Sequence, residues 1–302
     1  MLTEPWWRFG RGITKRIESM KLARALAVWC VLLALSRPAL SAQSTAEWRP
    51  DAGVGEVTFL GANTLIGALT GGLVQALGGG SFSDGFTRGA LGGAIVYAGK
   101  RLSVERFAGA GWIGREVAAV GTSIVRNASA GLPNLHRLVL PLGPLRVHLQ
   151  ANSDQVVNVK LDLFEVVALA GAVAEPALTL DVGRTFSAGA PVFLAKHRTI
   201  VHNGDRANGL TQGGTILLSG RGVDDPESTF AHERVHVIQL DFLSQAWFLP
   251  FEEWIFRNTP LAALQRYIDL NVSTALWLTA WNGLIDAGDR PREIEASFLA
   301  TR

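Results

Sequence analysis

Thr229-Phe230-Ala231-His232-Glu233-Arg234-Val235-His236-Val237-Ile238-Gln239 is the stretch on which the fold turns. It spells His-Glu-x-x-His, and on a helix that spacing builds most of a zinc site. Residues four apart lie on one helix face, a single turn from each other. His232 and His236 therefore aim their ring nitrogens at the same point. Glu233 projects about 100° round the helix from His232, so it flanks a metal ion there rather than ligating it. That is the station of a general base for a metal-bound water.

The surrounding residues announce the helix independently. Asp225-Pro226-Glu227-Ser228 supplies an N-cap, a proline at the first helical position and an acid in the first turn. Apolar residues recur at Phe230, Ala231, Val235, Ile238 and Phe242, close to helical spacing. Just upstream, Gly214-Thr215-Ile216-Leu217-Leu218-Ser219-Gly220 reads as a short buried strand bounded by glycines. Beside the metal helix, such a strand would hold an extended peptide by edge pairing.

A catalytic zinc site has three protein ligands and a water. No histidine follows His236, so a third ligand from downstream has to be a carboxylate. Asp289-Arg290-Pro291-Arg292-Glu293-Ile294-Glu295-Ala296-Ser297-Phe298-Leu299-Ala300 starts another helix, with Pro291 near its first turn. HExxHxxQ followed at a distance by E-x-E-A resembles the gluzincin type of zinc metallopeptidase, in which a glutamate on a second helix completes the site. The resemblance implies Glu293 as third ligand, with Ala296 at the small position three residues on. Ser297 stands where that family often carries Asp, and Arg234 stands where it usually has an uncharged residue. Glu295, followed by Phe298 and Leu299, is the alternative ligand. The likeness covers residues 226 to 245, the preceding strand and the last dozen residues. It implies Zn2+ as cofactor, a peptide or protein as substrate, and Glu233 as the base for a metal-activated water.

Residues 20 to 42 read as an export signal: Lys21 and Arg24 at the charged start, Ala25 to Leu35 as apolar core, and Ala39-Leu40-Ser41-Ala42 as cleavage region. The expected location is the periplasm, the cell envelope or the extracellular space. The leader takes seven of the 28 basic and two of the 26 acidic residues, leaving a mature charge of −3. There is no basic tract to suggest nucleic acid. The one cysteine, Cys30, falls within the leader, so the remainder has neither disulfides nor cysteine-bound zinc.

From Val57 to Ser83 no residue is charged, and glycines recur four apart at Gly67/Gly71, Gly85/Gly89 and Gly89/Gly93. Small residues at that spacing let two helices approach closely. A glycine-rich helical hairpin follows, with its turn at Ser81–Gly85. It either contacts a membrane through residues 57–99 or packs on a soluble domain. Beyond an amphipathic stretch from Trp112 to Ala130, the period changes to two. Leu145–Gln150 and Val157–Leu163 alternate cleanly, and Leu178–Val182 and Pro191–Ala195 continue the sheet. His148 falls on the polar face of its strand and reads as solvated.

The expected fold is α+β: a leader over 1–42, a glycine-rich helical region over 43–131, and an antiparallel β region running into a zincin-like helical part over 132–302. The expected function is an exported zinc peptidase. The alternative is a non-enzymatic envelope or membrane-associated protein whose zinc site is structural or degenerate.

Overall fold

Three helices come first, α1 (Ala52–Leu77), α2 (Phe82–Ser103) and α3 (Ala110–Ser129), and glycine sets how they pack. These and the elements below come from a computed structural model describing residues 52–151, 155–196, 199–202, 205–221, 223, 225–284 and 291–301. The leader and His197 lie outside the described residues. A Cβ on Gly67 would run into the Gly89 carbonyl, and one on Gly71 into that of Gly85. Across the next interface, a Cβ on Gly92 would stand 2.6 Å from the Gly121 oxygen. Bare glycine faces thus bring backbone against backbone on both sides of α2. The hairpin turn falls at residues 78–81, just ahead of Ser81–Gly85. The reason is that Ser81 caps α2, its hydroxyl accepting from the Asp84 N–H at 3.3 Å.

The chain then forms β1 (Arg137–Leu142), β2 (Leu145–Gln150) and β3 (Val157–Asp162). Asp162 ends β3 and caps α4 (Leu163–Ala174), accepting from the Glu165 N–H. After β4 (Thr179–Leu180) come α5 (Val182–Ala188) and β5 (Val192–Ala195). A ribbon of β6 (Ile200–His202) and β7 (Asp205–Ala207) leads to β8 (Gly209–Gln212) and β9 (Thr215–Ser219). The helix that carries both histidines is α6 (Pro226–Leu243), which runs through a π-helical stretch at Ser244–Phe248 into α7 (Leu249–Phe256). The end of the chain holds α8 (Leu261–Leu264), β10 (Ile268–Asp269), α9 (Val272–Leu284) and α10 (Pro291–Ala300).

The architecture is α+β, with two four-stranded sheets ordered β1-β2-β3-β10 and β4-β5-β9-β8. Most neighbours are antiparallel, with Val147 opposite Val159 in the first sheet. Two pairs are parallel, β3 with β10 and β5 with β9. Parallel partners need a crossover between them, and here the intervening helices and strands provide it. The expected strand at 214–220 forms as β9, but β5 and β8 flank it on both sides. The edge beside α6 therefore belongs to β8.

Helix α6 is packed on three sides, with its first turn and His232 reaching towards solvent. Phe230 and Val237 pack on Val192, Ile216 and Leu218 of the second sheet. Ile238 and Phe242 pack on Val96 of α2 and Ala118 and Val125 of α3. Val235 meets Phe59 of α1, Tyr97 of α2, and Ala296 and Leu299 of α10. The core therefore crosses from the glycine-rich helices into the C-terminal part. A helix normally buries an apolar face. This one also buries Glu233, Arg234, His236, Gln239 and Asp241, and every polar group taken out of water there needs a partner.

Candidate metal centre

Asp225 starts α6 as the spacing predicts, its side chain accepting from the Glu227 and Ser228 N–H groups with Pro226 at the first position. That sets His232 and His236 one turn apart. Their Nε2 atoms lie 2.8 Å from each other, and Glu293 Oε2 of α10 is 3.1 Å from one and 2.9 Å from the other. Donors about 2.0–2.1 Å from one tetrahedral zinc stand roughly 3.3 Å apart. The observed triangle is slightly tighter, and its donors lie close enough together to share one ion. His232 and Glu293 are each about one-fifth exposed at their side chains, so the cluster opens to solvent.

Electrostatics keep the three donors together. Burial pushes the Glu293 carboxyl upward, but hydrogen bonds from both histidines and the nearby Arg292 hold it well below the usual carboxylate range. For His236, burial disfavours the charged ring. The Glu293 carboxylate and the charge of Glu233 outweigh this and raise its pKa.

Glu233 is not part of the ligand triangle. It is buried against the edge strand β8, where its Oε2 accepts from the Thr211 hydroxyl at 2.7 Å. Gly209 of the same strand passes so close that a Cβ there would lie 2.6 Å from Glu233 Oε1. The glycine makes room for the carboxylate.

Of the two candidate glutamates on α10, Glu293 joins the histidines and Glu295 does not. Two residues apart on a helix is about 200°, so they face opposite ways. Glu295 is buried and receives hydrogen bonds from Lys100 at 2.7 Å, Asn63 at 2.6 Å and Gln239 at 2.8 Å. Gln239 is in turn 2.7 Å from His236 Nδ1. Ser297, at the position where an Asp was expected, brings its hydroxyl to 3.4 Å from His232 Nδ1. Each histidine thus has an oxygen near its second ring nitrogen, an arrangement that orients metal-bound imidazoles. In the sequence, Gln239, one turn beyond His236, reads as able either to orient a ligand or to pack at the helix face, and the missing Asp left any further support unidentified.

Arg234 points away from the histidines. Its guanidinium lies over the Phe230 ring, 4.8 Å from the centroid, and its stem covers Gly111 of α3. Burial lowers its pKa to about 10, which leaves it charged. The charge that interrupts the motif in sequence is therefore outside the cluster. His148 is also less solvated than its strand pattern implied. It is largely buried, within 3.4 Å of Asp269 and far in sequence from the metal triangle. Among the described residues, His232, His236 and Glu293 are the one group with metal-binding geometry.

No family model, curated protein or solved structure matches this chain.

Proposed function

We propose that this chain is an exported zinc-dependent peptidase resembling the gluzincins. The observation that carries the reading is the convergence of the His232, His236 and Glu293 donors, with Glu233 held between the metal helix and an edge strand. Zinc bound by those three residues would polarise a peptide carbonyl and bring the pKa of a water down to about 7. Glu233 then takes the proton of the attacking water and returns it to the leaving amine. The outer edge of β8, unpaired among the described residues, would offer main-chain groups to an extended peptide. Thr211 holds the Glu233 carboxylate against that strand.

The test is metal content and peptide hydrolysis, measured together. Wild type is expected to hold about one zinc per chain and His236→Ala almost none. Glu233→Gln keeps the zinc and loses hydrolysis by at least about 10²-fold, the usual scale of a general base. An unchanged rate in Glu233→Gln would remove that residue from the chemistry. Absence of zinc in the wild type after reconstitution would remove the peptidase reading.

A second reading, a membrane-associated protein without peptidase activity, draws support from α1. Gly55–Leu77 is long and apolar enough to cross a bilayer, and Val57, Leu60, Leu65 and Ile66 are exposed. Release of the protein from membranes by a carbonate wash argues against insertion.

A further inference from the structure

We propose that the glycine-rich hairpin supplies the outer support of the metal centre, through a hydrogen-bond chain that fixes which nitrogen of His236 faces the ion. The metal half of this proposal rests on the zinc reading; the hydrogen-bond half does not.

The chain begins on α1 and α2. Lys100 donates to Asn63 Oδ1 at 2.8 Å and to Glu295 Oε2 at 2.7 Å. Asn63 donates through its amide to Glu295 Oε1 at 2.6 Å and to the Phe59 carbonyl at 2.8 Å. Both side chains are buried, so neither carries its polar head into water. The glycine crossing makes this reachable: a Cβ on Gly93 would collide with the Asn63 backbone. Only closely packed helices bring Asn63 and Lys100 to one carboxylate.

From Glu295 the polarity runs one way. One end of the Gln239 side chain lies against Glu295 Oε2 at 2.8 Å and the Arg292 carbonyl oxygen at 3.1 Å. A backbone carbonyl only accepts, so that end is the amide nitrogen. The other end, 2.7 Å from His236 Nδ1, is then the oxygen and accepts from an Nδ1–H. With Nδ1 donating to Gln239, Nε2 is the nitrogen left for an ion, which would displace the proton that Nε2 shares with Glu293. Lys100, Asn63, Glu295 and Gln239 are thus positioning residues for His236. Residues of this kind typically contribute about 10–100-fold in metal affinity.

Long-range 15N imidazole spectra of the Zn2+-loaded protein read which ring nitrogen of His236 keeps its proton, and spectra of the metal-free protein read whether Nδ1 carries one. Competition with a chelator reads the affinity for Zn2+. The variants are Gln239→Leu and the double change Lys100→Met/Glu295→Gln, which neutralises the buried ion pair without orphaning either charge. Melting temperatures identify any variant that has lost its fold. Wild type is expected to show Nδ1–H. Gln239→Leu gives mixed tautomers and zinc binding about 10–100-fold weaker, with the double variant between it and wild type. An Nε2–H ring in Zn2+-loaded wild type, or affinity within twofold of wild type in folded Gln239→Leu, overturns the proposal. A double variant equal to wild type removes the hairpin from the chain. Wild type that binds no zinc sinks the metal reading, and the metal-free spectrum then decides the hydrogen-bond chain on its own.

Discussion

At the scale of single residues, the candidate site separates ligands from the group that would act as base. Glu233 has a fixed seat: the Thr211 hydroxyl on one oxygen and the bare Cα of Gly209 beside the other. Thr211→Val keeps the shape and deletes the donor. We expect its zinc content to match wild type and its kcat to fall about 10–100-fold, the scale of an orienting partner. Gly209→Ala places a methyl where the carboxylate is and is expected to cost more. Equal rates in both variants would mean that Glu233 does not act from this position. The histidines and Glu233 were legible in the sequence because helical periodicity is local and places them without knowledge of the fold, whereas Glu293 came from the resemblance to the gluzincins, with Glu295 as the alternative. Thr211 and Lys100 were not legible. Thr211 lies 22 residues before Glu233 and Lys100 lies 195 before Glu295, and no periodicity connects a strand or a distant helix to them.

At the scale of elements, the sequence was most readable where a pattern ran long. The capped α6, the amphipathic α3 and the alternating β2 and β3 all form close to their expected limits. Strand β4 falls within the expected Leu178–Val182, whereas β6, β7 and β10, of two or three residues each, exist through pairing, which leaves little local signature. The same cause hid the identity of the edge strand: β9 has the apolar composition, while β8 has the position. The glycine repeat predicted close helices, and its backbone contacts make that quantitative. Gly89→Val would drive its side chain into the Gly67 carbonyl, and the helices would have to separate. Overpacking of this kind costs about 1–3 kcal/mol, and here the obstacle is backbone, which puts the loss at the upper end. Urea denaturation checks it: the midpoint should fall with an unchanged slope. Asp225→Ala, which removes the cap of α6, is expected to cost about 1 kcal/mol by the same measurement.

At the scale of the whole molecule, a second buried network joins the parts. Arg115 of α3 donates to Asp241 of α6, Glu165 of α4 and the Gly189 carbonyl. Arg146 of β2 donates to Glu165 and Asp241 and pairs with Asp162. Both arginines are only 2% exposed. Breaking such a cluster from one side leaves charge buried and unpaired, so Arg146→Met is expected to cost about 3–5 kcal/mol. Beside this network on α3, burial pushes the Glu116 carboxyl up to about 7, despite the pull of Arg115. Its ordinary value is 4.5, so between these two values the folded state binds the proton that the unfolded state has released. Stability is therefore greatest below about 4.5 as far as this group is concerned, and it declines as pH rises through about 7. Glu165 and Asp162 are also raised by burial against the attraction of Arg146, and they add to the same slope. Glu116→Gln removes one contributor by making the side chain permanently neutral. The variant is expected to melt near wild type at pH 5 and above it at pH 8, a difference that widens with pH. A melting shift of the same size at both pH values would mean that Glu116 is already ionised in the fold, and that the slope arises in the arginine cluster alone.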